Sequence, residues 1–222
     1  MIQRGSLYSQ FIAPGDLCFD IGANAGSRTD SFLELGAQVV AVEPQPDCYE
    51  RLVERYRDDS RVTVIKAGLA EHEGTMSLSL CSAASTIATF SKKWKTGRFS
   101  DYTWDSTIDV PITTLNRLIE RHGRPTFCKI DVEGFEHQVL LGLSSVIPFI
   151  SFEFTKEFME DAAFCAKRLM SLGEVEFNFS IGETAEPALS EWIGAREIIA
   201  RLRAISDELL WGDIYAKFAL SP

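Results

Sequence analysis

The sequence predicts one Rossmann-like α/β domain: a seven-stranded, mostly parallel sheet with helices on both faces and a hairpin inserted after the third strand. Three observations predict it. Short apolar runs alternate with amphipathic stretches along most of the chain, the pattern of parallel strands covered on both faces by crossover helices. The first run ends in an acid and a glycine turn, Asp20-Ile21-Gly22-Ala23-Asn24-Ala25-Gly26, which opens directly into a helical stretch. The 222 residues, 45% hydrophobic and 24% charged, suffice for one domain with a sizeable core, and no Pro- or Gly-rich linker divides them.

Leu17-Cys18-Phe19 forms the first strand. A helix follows over residues 27–35, closed by Gly36 as its C-terminal cap. Val39-Val40-Ala41-Val42 is a second buried strand, ending at Glu43-Pro44. The helix over residues 46–57 repeats Cys48, Tyr49, Leu52, Val53 and Tyr56 at helical spacing, and Pro46 suits its first turn. Residues 62–65 form the third strand. The rhythm resumes with a helix over 115–122 capped by Gly123, a strand over 126–131, and a helix marked by Phe135, Val139, Leu140 and Leu143. A strand over 149–154 and a helix over 157–172 follow, and the tail holds a strand over 175–181, a helix over 188–205 and a last strand over 211–220.

Residues 68–111 break this rhythm. Met76-Ser77-Leu78-Ser79-Leu80 alternates as a half-exposed strand does, with Ile108-Asp109-Val110 to pair with it. Between them Lys92, Lys93, Lys95 and Arg98 are interleaved with Phe90, Trp94, Phe99, Tyr102 and Trp104. Cations beside aromatic faces suit a sugar, an anionic acceptor or a stacked base; equally, the aromatics could anchor a solvated loop to the sheet. A long insertion in a compact domain points to a lid or binding loop, here an acceptor lid within a single domain spanning residues 1–222.

A net charge of −10 argues against general nucleic-acid binding, which needs clustered Lys and Arg. The most apolar stretch, residues 140–154, is broken by Ser144, Ser145, Pro148 and Ser151 and is too short for a membrane span. No signal-type apolar stretch follows Met1. The five cysteines, at positions 18, 48, 81, 128 and 165, are scattered without a CxxC pair and read as reduced, mostly buried thiols. These features predict a cytoplasmic protein with no membrane association.

In open α/β sheets, ligands bind beyond the carboxyl ends of the strands. That places residues 20–26, Glu43-Pro44, residues 67–69, residues 131–134 and Glu153 around one site. Gly22 and Gly26 let the backbone turn sharply and approach a ligand closely, and Asn24 tolerates left-handed geometry while offering an amide. The turn lacks the third glycine of the dinucleotide fingerprint, which disfavours a dinucleotide-dependent oxidoreductase. The Asp20 carboxylate suits the ammonium of a methionyl group and would repel a pyrophosphate. Glu43, 21 residues after Gly22, stands where an acid accepts hydrogen bonds from both ribose hydroxyls. The pair points to an adenosyl cofactor; the first turn alone would be no more than a capped strand-to-helix turn. In Lys129-Ile130-Asp131-Val132-Glu133-Gly134-Phe135-Glu136, strand alternation puts Lys129 and Asp131 on one face. A buried lysine needs a partner, for which Asp131 and Glu153 are the candidates. A structural ion pair and a catalytic role for Lys129 both stand open.

Asp20-Ile-Gly-Ala-Asn-x-Gly, then Val42-Glu43-Pro44-x-Pro46, then the Lys129 to Glu136 cluster with Leu140-x-Gly142, together resemble the FkbM family of methyltransferases, over residues 14–154. The resemblance implies a class I methyltransferase fold, S-adenosylmethionine as methyl donor, and O-methylation of a small-molecule or glycan hydroxyl in a biosynthetic pathway. It implies that Asp20, Gly22, Asn24 and Glu43 hold the cofactor, with Asp131 and Glu133 between cofactor and acceptor. Ala23, Gly26, Pro44, Gly68 and Leu69 occupy the same strand ends and are counted with the cofactor site. Relatives commonly carry aromatic residues at the helix start, where this chain has Ser27 and Arg28.

Methyl transfer is an in-line displacement that needs an aligned acceptor and, for a hydroxyl, removal of its proton. Asp131, Glu133 and Glu153 are the candidate bases, beside Lys129, and Asp131 is favoured; His137 is a weaker candidate. No metal is expected. Two alternatives remain. Glu133-x-x-Glu136-His137 resembles the metal motif of small-RNA 3′-end methyltransferases, and the chain could be a non-catalytic cofactor-binding scaffold. The edge strand near the C-terminus could support a homodimer.

Overall fold

A computed structural model describes residues 5–184 and 186–219. Residues 1–4 and the last expected strand residue, Leu220, lie outside the described residues. A short helix, α1 (Gly5–Tyr8), precedes β1 (Leu17–Ile21), α2 (Ser27–Glu34), β2 (Gln38–Val42), α3 (Pro46–Tyr56) and β3 (Val62–Ile65). The insertion contributes β4 (Gly68–Leu69), β5 (Gly74–Leu80), α4 (Lys92–Thr96) and β6 (Ser106–Thr113). Then follow α5 (Leu115–His122), β7 (Phe127–Ile130), α6 (Glu136–Leu141), β8 (Phe149–Thr155), α7 (Met159–Met170), β9 (Val175–Ile181), α8 (Ala195–Ala204) and β10 (Trp211–Phe218).

The main sheet has seven strands in the order β3-β2-β1-β7-β8-β10-β9. All pairings are parallel except those of β10, which runs antiparallel to both β8 and β9. The last strand therefore lies inside the sheet, and the C-terminal edge is β9, not β10. That edge is partly occupied, because Ile193 forms an antiparallel bridge to Phe177. The same segment explains why α8 starts at Ala195 and not near residue 188: the Asn178 side chain binds both the N–H and the carbonyl of Leu189, which holds this stretch extended along β9.

Strands β1, β2, β7 and β8 are buried nearly end to end, as their apolar runs require. One face packs Phe19, Ile21, Ile130, Phe152 and Leu140 against α5, α6 and α7; the other packs Cys18, Val39, Phe127 and Leu52 against α1, α2 and α3. On that second face Tyr8, Phe11, Phe32 and Phe127 form an aromatic cluster with ring separations of 5.1–5.7 Å. All five cysteines are buried free thiols. Among the described residues, no helix is long and apolar enough to cross a membrane.

Residues 68–111 form a small sheet of their own. β5 and β6 pair antiparallel from Gly74↔Ile112 to Leu80↔Ser106, and β4 adds a parallel third strand. The basic-aromatic stretch folds inward as an anchor. Trp94 packs on Phe99 and Phe158, Phe99 on Tyr102, and Phe90 on Phe135. Three of its four cations are engaged as well: Lys93 with Asp161, Arg98 with Glu157, and Lys95 with the Ser79 hydroxyl. Of the aromatics named from sequence in this stretch, only Phe90 faces the cavity described next.

Candidate active site

Strand order reverses at β1, between β2 and β7. A cavity of about 380 Å³ opens at that point, within the roughly 300–1,000 Å³ of small-molecule sites. It brings together Asp20, Gly22, Ala23 and Asn24 from the first turn, Glu43 and Pro44 from the second strand end, Gly68 and Leu69 from β4, and Asp131, Glu133 and Glu153 from the β7 and β8 ends. Two residues assigned from sequence are not on its wall. Gly26 serves helix packing: a Cβ there would lie 2.4 Å from the Tyr56 hydroxyl, which donates to the Gly26 carbonyl at 3.0 Å. Lys129 is buried in β7 and reaches the cavity only through Asp131.

The glycine of the first turn also has a different partner from the one its sequence suggests. Gly22 has φ +85°, and a Cβ would fall 1.8 Å from the Asp131 carbonyl. The missing side chain lets β1 and β7 close on each other, so the close approach is to the neighbouring strand end. Asn24 adopts the left-handed conformation expected of it, with φ +47°.

Glu43 is buried, and both its oxygens hold loops. Oε2 accepts the Asn24 N–H at 2.8 Å and Oε1 accepts the Gln45 N–H at 2.8 Å. Burial raises its pKa, against the opposing pull of these donors. The Gln45 side chain is a third partner of this carboxylate, whose four acceptor positions leave room for a hydroxyl in the cavity. Asp20 is buried too, and accepts from the Thr29 hydroxyl at 2.6 Å. Arg28, which the sequence marks only as a departure at the helix start, lines the same end of the cavity; its Nη2 binds Glu183 at 2.8 Å, while its Nε is buried without a partner. Asp20 and Arg28 thus offer an anion and a cation at one end, and Glu43 offers an anion at the second strand, which fits the amino-acid and ribose portions of an adenosylmethionine.

The opposite wall is acidic. Carboxylate oxygens of Asp131, Glu133 and Glu153 all lie within 4.8 Å of one another, and this is the set among the described residues that could hold a metal ion. The metal motif read as Glu133-x-x-Glu136-His137 does not assemble. Glu136 turns back to accept the N–H groups of Val132 and Gly134, and His137 stacks on Phe164. Burial, reinforced by the surrounding carboxylates, pushes Glu133 and Glu153 well above the usual carboxylate range. Asp131 instead faces a cation, 3.3 Å from Lys129 Nζ, and Lys129 also binds the buried Asp213 at 2.5 Å. Burial works against the Lys129 charge, but Asp131 and Asp213 outweigh it and hold its pKa well above normal. Asp213 lies 84 residues from Lys129, and no local pattern announces it.

Glu133 sits in the left-handed region with φ +57°, rare for a residue with a side chain and costly by about 1–3 kcal/mol. The insertion holds it there: Thr89 Oγ1 donates to the Glu133 carbonyl at 2.7 Å, and Trp94 packs on Gly134 where a Cβ would come within 2.8 Å.

Comparison with known proteins agrees with this geometry. The family model for the FkbM methyltransferase domain matches residues 20–184. The hexuronic acid methyltransferase AglP of Haloferax volcanii is 27% identical over 140 residues, which cover 62% of this chain and 54% of that protein; the match thus spans about half the length of that curated relative. Among solved structures, a candidate rRNA methylase from Clostridium thermocellum aligns with TM-score 0.50 and 11% identity over 99% of this chain and 96% of that one. The 23S rRNA methyltransferase ErmE aligns with TM-score 0.50 and 10% identity over 99% and 68%. At such identities these two likenesses concern the fold alone. With the family model covering most of its length, the chain belongs to the FkbM family of S-adenosylmethionine-dependent methyltransferases.

Proposed function

We propose that the chain O-methylates a hydroxyl of a saccharide-type or other small acceptor, with the adenosyl end of the cofactor at Glu43, its amino-acid end between Asp20 and Arg28, and the acceptor at the acidic wall. The bound cofactor supplies an electrophilic methyl group on a sulfonium. Glu43 is suited to accept from a ribose hydroxyl with the acceptor capacity that Asn24 and Gln45 leave free. Asp20 is suited to the ammonium, and the orphaned Arg28 Nε to the carboxylate.

One observation carries the hydroxyl reading: carboxylate oxygens of Asp131, Glu133 and Glu153 gather within 4.8 Å of one another at the acceptor wall, where burial and this crowding raise the pKa of Glu133 and Glu153. A raised carboxylate is basic enough to take a hydroxyl proton as the oxygen attacks, whereas a carboxylate acceptor arrives already deprotonated and needs no such group. The sequence favours Asp131 as the base, but its carboxylate is engaged by Lys129 at 3.3 Å. Glu153 is the better candidate for the proton, with Asp131 fixing the charge beside it. The saccharide class rests on the resemblance to AglP; the enclosing residues Phe90, Trp211 and Leu78 add an apolar wall against which a sugar ring could lie.

The test is formation of S-adenosylhomocysteine with a panel of neutral sugars, sugar acids and non-sugar alcohols. Turnover on a hydroxyl that falls at least a hundredfold in Glu153→Gln supports the reading. Turnover restricted to carboxylate acceptors, or indifferent to Glu153, would remove it.

A further inference from the structure

Glu153 belongs to two cavities. It lines the large one, and it also lines a small chamber of about 20 Å³ behind the acidic wall. Trp94, Thr155, Glu136 and Asp161 complete the polar part of that chamber. Two of these carry buried atoms without a partner: the indole Nε1 of Trp94 and Oγ1 of Thr155. Both residues are only 3% exposed. An unpaired buried donor costs about 1–3 kcal/mol, and buried polar groups in folded proteins nearly always meet protein or ordered water. One water needs about 10–15 Å³ and two to four polar partners, and the chamber offers both. The indole nitrogen can only donate, so what it faces must accept; a metal or ammonium ion does not satisfy it.

We propose that this chamber holds one ordered water, which carries the proton released in methyl transfer from Glu153 to Asp161 at the surface. The proposal rests on Glu153 as the base. The transfer forms a C–O bond, breaks the C–S bond of the sulfonium and releases the hydroxyl proton: an alcohol and a sulfonium become an ether, a thioether and one proton. The proton lands on Glu153. With Trp94 donating to one lone pair of the water, the second lone pair is free to receive that proton as the water passes one of its own to Asp161. Asp161 is 24% exposed and paired with Lys93, so its proton exchanges with bulk solvent. Without an exit, Glu153 would retain it, since burial and the neighbouring Asp131, Glu133 and Glu136 all favour its protonated form over the pull of Lys129.

The test combines a high-resolution crystal structure with an infrared titration of the Glu153 carboxyl, identified as the band lost in Glu153→Gln. The wild-type protein should show one water bonded to Trp94 Nε1 and Thr155 Oγ1. Thr155→Val should disorder or expel it and move the Glu153 titration by about one pH unit, with S-adenosylhomocysteine affinity unchanged within twofold. Trp94→Phe, which keeps a ring and removes the N–H, should act in the same direction. A dry chamber in protein that binds S-adenosylhomocysteine, or a Glu153 titration unmoved in both variants, overturns this proposal alone. Failure of the wild-type protein to bind S-adenosylhomocysteine would overturn the proposed function instead.

Discussion

Glu43 Oε2 accepts the backbone N–H of Asn24 at 2.8 Å, so the acid ending the second strand holds the turn that follows the first. The two motifs are therefore one device. Glu43 shapes the Asn24 loop, with its left-handed φ of +47°, while turning its remaining acceptor capacity to the cavity. Loss of this carboxylate should disorder the turn as well as remove a ligand contact.

Arg28 should discriminate for the amino-acid end of the cofactor. Its Nε is buried and unpaired, and a charge-assisted hydrogen bond is worth about 1.5–3 kcal/mol. Arg28→Met is expected to weaken S-adenosylhomocysteine roughly 10- to 100-fold by calorimetry, while 5′-methylthioadenosine, which lacks the amino acid, keeps its affinity. Equal losses for both ligands would mean that Arg28 acts only through the fold.

Lys129 neutralises two acids from inside the sheet, one of them the buried Asp213. Removing one partner of such a pair costs about 3–5 kcal/mol, because the other is left charged and unsolvated. Lys129→Met should lower unfolding free energy in urea by that amount, and adding Asp213→Asn should restore part of it. A loss under about 1 kcal/mol, at the scale of a surface ion pair, would contradict the burial argument.

The strand ends were legible because hydrophobic period and chain order dictate where a parallel sheet stops. Asp20, Glu43, Asp131, Glu133 and Glu153 all reach one cavity as expected. What was not legible depends on distant partners. Arg28 looks like an ordinary helix-start residue until Glu183, 155 positions away, is folded beside it. Asp213 comes from a strand inserted between β8 and β9, and the sequence does not announce that order. The glycines at 22 and 26 were recognisable as turn residues, but what would meet their Cβ atoms, a neighbouring carbonyl and a tyrosine hydroxyl, is a property of packing. The aromatic stretch left two readings open, and ring packing against Phe135 and Phe158 favours the anchor.

Glu136 should impose a pH slope on stability. Burial first, then Asp131, raise its carboxyl from 4.5 to about 7 in the folded chain, against the backbone donors that oppose them. Below 4.5 both states hold the proton and the group is neutral in effect. Between 4.5 and 7 the unfolded chain ionises first, so stability falls as pH rises; above 7 the penalty is constant, at about 3 kcal/mol. Glu136→Gln keeps an acceptor for Val132 and Gly134 and abolishes this contribution. Its stability relative to wild type should therefore rise by that amount between pH 4 and pH 8 in urea titrations. A parallel pH profile would contradict the assignment.

Asp131→Asn should abolish turnover, since it removes the fixed charge between Lys129 and the acceptor wall. Activity of the wild-type protein is expected to survive a chelator, because a proton shared among raised carboxyls balances the wall without a cation. Loss of activity in chelator, restored by magnesium, would assign Asp131, Glu133 and Glu153 to a divalent ion instead.

The most direct test of the account is calorimetric titration of S-adenosylhomocysteine into the wild-type protein and Glu43→Ala. The account predicts saturable one-to-one binding that falls at least a hundredfold in the variant, with no heat from NAD in either. Absence of binding in the wild-type protein, or equal affinity in Glu43→Ala, would contradict it.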